Sequence, residues 1–104
     1  MTPDALNVSG ATQPDIHIGT VDDIAVELGV DAAGYWHQAM IDDGPMAIWI
    51  INGERWLSNG NHRFQAAIRA GVEIPESHVT IADMSGKAIP TWRFEQMTWL
   101  PGRK

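Results

Sequence analysis

Residues 46–71 read MAIWIINGERWLSNGNHRFQAAIRAG, and this stretch decides the fold. Met46–Ile51 is apolar throughout, the pattern of a strand covered on both faces. Asn52-Gly53 follows, and Glu54–Ser58 supplies a partner strand. Asn-Gly between two such runs specifies a two-residue type I′ hairpin, because both central residues must take positive φ. From Gly60 the apolar spacing changes to 3.6 residues. Phe64, Ala67 and Ile68 then share a face, Ala66 and Ala70 favour helix, and Gly71 stands where a C′ glycine belongs. A hairpin leading through a short loop into a helix predicts an α+β domain with a small mixed sheet, a central hairpin and packed helices.

Working outward, Asp15–Gly19 is a short candidate strand with Ile16 and Ile18 on one face. Thr20 is a plausible N-cap, with Asp22 and Asp23 in the first turn and Gly29 near the end. Asp31 caps a second helix over Ala32–Ile41, and Asp42-Asp43-Gly44-Pro45 stops it. Downstream of Pro75, His78–Ala82 alternates as a strand. Ile89–Leu100 fits either a strand or a helix. Residues 1–14, rich in Pro, Ser, Thr, Asn and Gly without periodicity, read as a flexible leader. The domain is then residues 15–100, and the basic residues 101–104 form a mobile tail.

The chain has 104 residues, a size for one domain. With no cysteine it has no disulfide, thiolate nucleophile or cysteine metal site. Met46–Ile51, the longest apolar run, is too short to span a bilayer. Nothing near the N-terminus resembles a secretion signal, so a cytoplasmic location without membrane association is expected. The net charge of −6 is unevenly distributed. Residues 1–43 hold eight acids and no Lys or Arg, whereas residues 44–104 hold five acids and all seven bases. A partner that prefers positive charge meets the second half, although the overall charge also simply keeps a protein in solution.

The chemistry concentrates at Ser58-Asn59-Gly60-Asn61-His62-Arg63, between the second hairpin strand and the helix. A helix N-terminus offers unpaired N–H groups and partial positive charge, both of which favour an anion. Gly60 lets a ligand approach the backbone. Arg63 adds a permanent fork for phosphate, and His62 can donate a hydrogen bond or transfer a proton. Asn59 and Asn61 add amide donors and Ser58 a hydroxyl. The set suits a phosphate group. In the alternative reading Asn61 caps the helix and His62 and Arg63 face water.

The run Ala47–Ile51, Asn52-Gly53, Glu54–Ser58, the turn Gly60-Asn61-His62-Arg63 and the helix to Gly71 together resemble the ParB/sulfiredoxin-like superfamily. That family leads a strand into a G-x-[HR]-R turn and a helix with small residues. The resemblance covers residues 46–82, with Asp15–Leu28 a weaker match. It implies a turn that holds phosphates of nucleotides or of a nucleic-acid backbone through Gly60, Asn61, His62 and Arg63. Sulfiredoxins carry a reactive cysteine where Asn61 stands, so sulfinic acid repair is excluded. Partition proteins of the family usually have Glu and Arg at the positions of Asn61 and His62. They also continue into a helix-turn-helix that these residues cannot supply. Looser relatives carry Asp where Asn59 stands.

The resulting expectation is a stand-alone, divergent ParB-like domain, a DNA-associated or nucleotide-binding accessory protein of plasmid or phage type. Its ligand would be DNA or a nucleotide, with or without Mg²⁺. Two alternatives stay open. One is a nuclease or nucleotide phosphohydrolase, with His62 moving the proton and Arg63 stabilising phosphate charge as catalytic residues. The other is a non-catalytic module that binds a protein partner or a second copy. His17, on the opening strand, is the first choice for a second polar contributor. The four histidines show no metal-ligand spacing, so no metal site is expected. Glu54 and Arg55 read as a solvated pair. Among five tryptophans, Trp49 and Trp36 suit the core, while Trp56, Trp92 and Trp99 are candidates for base stacking or an interface.

Overall fold

The computed structural model describes residues 1–104. The chain forms β1 (Val8–Ala11), β2 (Asp15–His17), α1 (Ile18–Asp43), β3 (Met46–Ile51), β4 (Glu54–Asn59), α2 (Asn61–Ala70), β5 (Val79–Asp83), β6 (Trp92–Arg93) and β7 (Thr98–Leu100), with short 3-10 turns at Pro3–Leu6, Glu76–His78 and Phe94–Gln96. This is a small α+β architecture. A mixed sheet in the order β5-β3-β4-β1-β6 has the β3–β4 hairpin at its centre, and a separate pair joins β2 to β7.

The hairpin turn forms as its residues dictate. Asn52 (φ 51°) and Gly53 (φ 84°) both occupy the left-handed region, and Ile51 faces Glu54 across the turn. Ile48 pairs with Leu57 on one face of the sheet, and both are buried with Met46 against α1 and α2. Trp49 pairs with Trp56, and a one-residue step along a strand places that pair on the opposite face. On that face Ala47 and Trp49 are half-buried and Ile51 is buried, while on the Ile48 face Ile50 is half-buried. Trp56 is itself buried, 6% exposed, with the Arg93 guanidinium 5.5 Å from its ring centroid. It is thus not available for base stacking. Trp92 is half-buried and Trp99 is 41% exposed.

α1 is one helix interrupted at Asp31, whose φ of −153° and ψ of 85° are non-helical. Asp31 Oδ1 accepts from the Gly34 N–H at 3.0 Å, so Asp31 caps the second half of α1. The first half starts earlier than Thr20 would place it. His17 is its N-cap, and Thr20 Oγ1 instead accepts from the Lys104 N–H. Asp22 and Asp23, past the first turn, pair with Arg69 and Arg103. α2 ends at Gly71 in a Schellman arrangement, with Gly71 N–H donating to Ile68 O and Val72 N–H to Ala67 O.

Two terminal expectations require correction. Residues 1–14 are not a loose leader: Leu6 and Ala11 are 1% exposed, and β1 lies between β4 and β6. Polar composition hid this strand because its cohesion comes from pairing on both edges. β1 runs parallel to β4 and antiparallel to β6. At the other end, residues 101–104 are tied to α1. Gly19 N–H donates to Gly102 O at 2.8 Å, and Arg103 forks onto the Asp23 carboxylate. The domain thus includes both segments. No helix is long and apolar enough to cross a membrane.

Candidate functional site

β4 and α2 meet at Gly60, the N-cap of α2, with a φ of 95°. The first intrahelical bond runs from Phe64 N–H to Gly60 O, so the N–H groups of Asn61, His62 and Arg63 have no partner within the helix. A cleft of about 230 Å³ opens at this terminus. Asn59, Gly60, Asn61, His62 and Arg63 line it on one side. Thr20, Ile24, Tyr35 and Asp43 of α1 line it with Lys104 on the other. Ser58 does not reach it.

Arg63 is 4% exposed. Its Nη1 donates to Gly44 O and to His78 Nε2, each at 2.7 Å. An arginine only donates, so His78 accepts and is neutral. Burial and the Arg63 charge both hold the His78 pKa below its usual value, burial being the larger cause. The His78 ring lies 4.8 Å from Trp36. Arg63 therefore clamps the α1–β3 turn to the start of β5. Its other edge remains beside Gly60: a Cβ at that position would stand 3.3 Å from Nη2 and 3.4 Å from Nε. The absent side chain keeps that edge clear, leaving two donors at the cleft. Burial lowers the Arg63 pKa and is the larger effect, while the nearby Asp43 carboxylate opposes it. Burial also pushes the Tyr35 phenol up to about 12, so it stays protonated and can donate.

His62 is committed elsewhere. Its Nε2 accepts from the His17 backbone N–H at 2.9 Å, capping the N-terminus of α1. The His17 ring stacks on it at 5.7 Å. Burial, reinforced by the nearby charge of Lys104 and by His17, lowers the His62 pKa to about 4. A ring nitrogen already accepting an N–H, on a group this weakly basic, is not a proton acceptor near pH 7. In this arrangement the Nε2 that proton transfer by His62 would use is occupied by the His17 N–H. Asn59 is likewise engaged, its Nδ2 donating to Asp43 O and Pro45 O. His17 reaches the site region through its contacts with His62, and its buried Nδ1 has no hydrogen-bond partner.

Asn61 differs from its neighbours. Both Oδ1 and Nδ2 are buried without a hydrogen-bond partner. A buried amide in that state costs about 1–3 kcal/mol, unless something outside the chain engages it. It stands at the first position of α2, among the open N–H groups.

Sequence reading missed Tyr35, Asp43, Thr20, Ile24 and Lys104 as lining residues. The helical spacing of Thr20, Ile24 and Tyr35 gave no sign that they would face α2. Lys104 is brought in by the β2–β7 pairing, which no local pattern announces. Trp92 and Trp99 lie outside the cleft lining. Arg55 and Glu54 have separate partners, Leu6 O and Arg93.

Compared with protein-family models, with curated proteins and with solved structures, the chain has no significant match.

Proposed function

We propose that this chain is a phosphate-recognising domain of ParB-like type, binding a nucleotide phosphate at the N-terminus of α2. The observation that carries the reading is the Asn61 amide, buried without a partner beside three open backbone N–H groups. The Nε–Nη2 edge of Arg63 and the Lys104 side chain add positive charge to the same cleft. A volume of about 230 Å³ suits a phosphate or diphosphate group rather than a whole nucleotide, so the sugar and base would lie outside. The facing wall, from α1, carries the Asp43 carboxylate beside Thr20, Ile24 and Tyr35. That wall opposes a long polyanion, which favours a small phosphorylated ligand over extended contact with a DNA backbone.

The engaged Nε2 of His62 and its low pKa weigh against the hydrolase alternative and favour binding without turnover. The test is a titration of CTP, ATP, inorganic phosphate and a short DNA duplex against tryptophan fluorescence. Wild type should bind a nucleotide saturably, with affinity falling as salt rises. Asn61→Ala should weaken binding about tenfold without lowering stability, because the lost amide had no partner inside the protein. Unchanged affinity in Asn61→Ala, or no response to any phosphate ligand, would overturn the reading.

A further inference from the structure

α1 carries two sets of apolar residues. Val21, Leu28, Trp36 and Ala39 are buried in the interior. A second set, Val26 and Val30 before the break at Asp31 and Ala33, His37 and Ile41 after it, faces solvent. Its members include Val30, 83% exposed, Val26, 67%, and Ile41, 66%. An ordinary surface helix presents polar residues on that side. The break at Asp31 bends the helix, and beside this set lies a groove of about 480 Å³ that Val26 and Val30 border. Its polar rim is formed by Glu27, Asp31, Asp42 and Asp43, with no Lys or Arg among the lining residues.

We propose that this outer face of α1 docks a cationic amphipathic helix of a partner protein. Val26, Val30, Tyr35 and Ala39 give the groove an apolar lining against which a helix can lay its apolar face. The sign of the partner follows from the flanks. The groove is bordered by Glu27, Asp31, Asp42 and Asp43 and by no Lys or Arg, so a Lys or Arg flanking the partner's apolar face meets opposite charge there. A second copy docking through the same face would set acid against acid, which disfavours self-pairing. The groove shares Tyr35 and Asp43 with the cleft at the α2 terminus, whereas Val26 and Val30 belong to the groove alone.

The test uses the full chain and a fluorescently labelled synthetic peptide of about 16 residues, with leucines at helical spacing and lysines elsewhere. A second peptide replaces every lysine with glutamate. Anisotropy measures binding, and circular dichroism measures helix gained by the peptide. The lysine peptide should bind and become helical, and the glutamate peptide should not. Val30→Ser and Val30→Lys, both at an exposed position, should weaken binding about tenfold. Ala82→Lys, which adds the same charge on exposed β5, should change it less than about twofold. Equal binding of both peptides would overturn the proposal, as would equal losses in Val30→Lys and Ala82→Lys, or no binding of the lysine peptide. A wild-type dimer in sedimentation that Val30→Lys dissolves would overturn it in favour of self-association.

Discussion

Gly60 meets two demands at once. Its φ of 95° is one that side-chain-bearing residues rarely adopt, and a Cβ would overlap the Cγ of buried Met46. Backbone strain of about 1–3 kcal/mol and overpacking of similar size should combine in Gly60→Ala. Chemical denaturation should therefore show about 2–5 kcal/mol lost, with the cleft distorted even where the fold survives. His62 gives the second prediction at this scale. Its folded pKa of about 4 lies below the ordinary 6.5, so the neutral form is favoured by folding. Above pH 6.5 its contribution is fully present. As pH falls from 6.5 towards 4, the unfolded chain takes up a proton that the folded chain does not, and stability declines. Allowing for solvent screening of a half-buried group, the decline should be about 1–2 kcal/mol. Urea titrations at pH 7 and pH 5 check this: His62→Gln should flatten that slope, and an unchanged slope would locate the pH sensitivity at His78, whose pKa is also depressed.

Elements whose chemistry is local were legible in the sequence. Asn52-Gly53 needs two positive φ values and takes them; Gly71 ends α2; Asp31 caps the segment after it. Asp31→Ala should remove that cap and cost about 1 kcal/mol. Hydrogen exchange should localise the change to the Ala32–Asp43 half of α1, leaving Ile18–Val30 less affected. Elements fixed by remote partners were not legible. β6 is two residues long and exists because Gly10 and Ala11 pair with Arg93 and Trp92. A Cβ on Gly10 would overlap the Trp92 carbonyl, so that close approach requires a glycine that reads locally as loop. The candidate site divides in the same way. The helix terminus and Gly60 follow from the sequence, whereas the engagement of His62, Asn59 and Arg63 by protein partners depends on where α1 and β5 pack. Residue type alone could not separate Asn61, left without partners, from those three neighbours.

For the whole molecule, the N-terminal segment is as integral as the hairpin. Leu6 and Ala11 belong to the same core cluster as Ile48, Leu57 and Phe64. Removal of residues 1–11 should expose one side of β4 and strip β6 of its partner, giving a chain without a cooperative thermal transition by circular dichroism. A sharp melt near the wild-type midpoint would show that β1 contributes little. β1 also packs against the Phe94–Gln96 turn that follows β6, so the same truncation loosens the residues leading into β7.

Two of the three parallel pairings, β1 with β4 and β2 with β7, have a bearing on biosynthesis. β1 waits for β4 and β6, and β2 waits for β7, whereas β3, β4 and α2 are contiguous in the chain. The hairpin and its following helix can associate as soon as they leave the ribosome. The two opening strands, made first, acquire their last neighbours only when residues 92–100 have emerged. Translation speed through residues 92–100 thus sets how long the segments already emerged present Ile16 and Leu6 to chaperones and proteases.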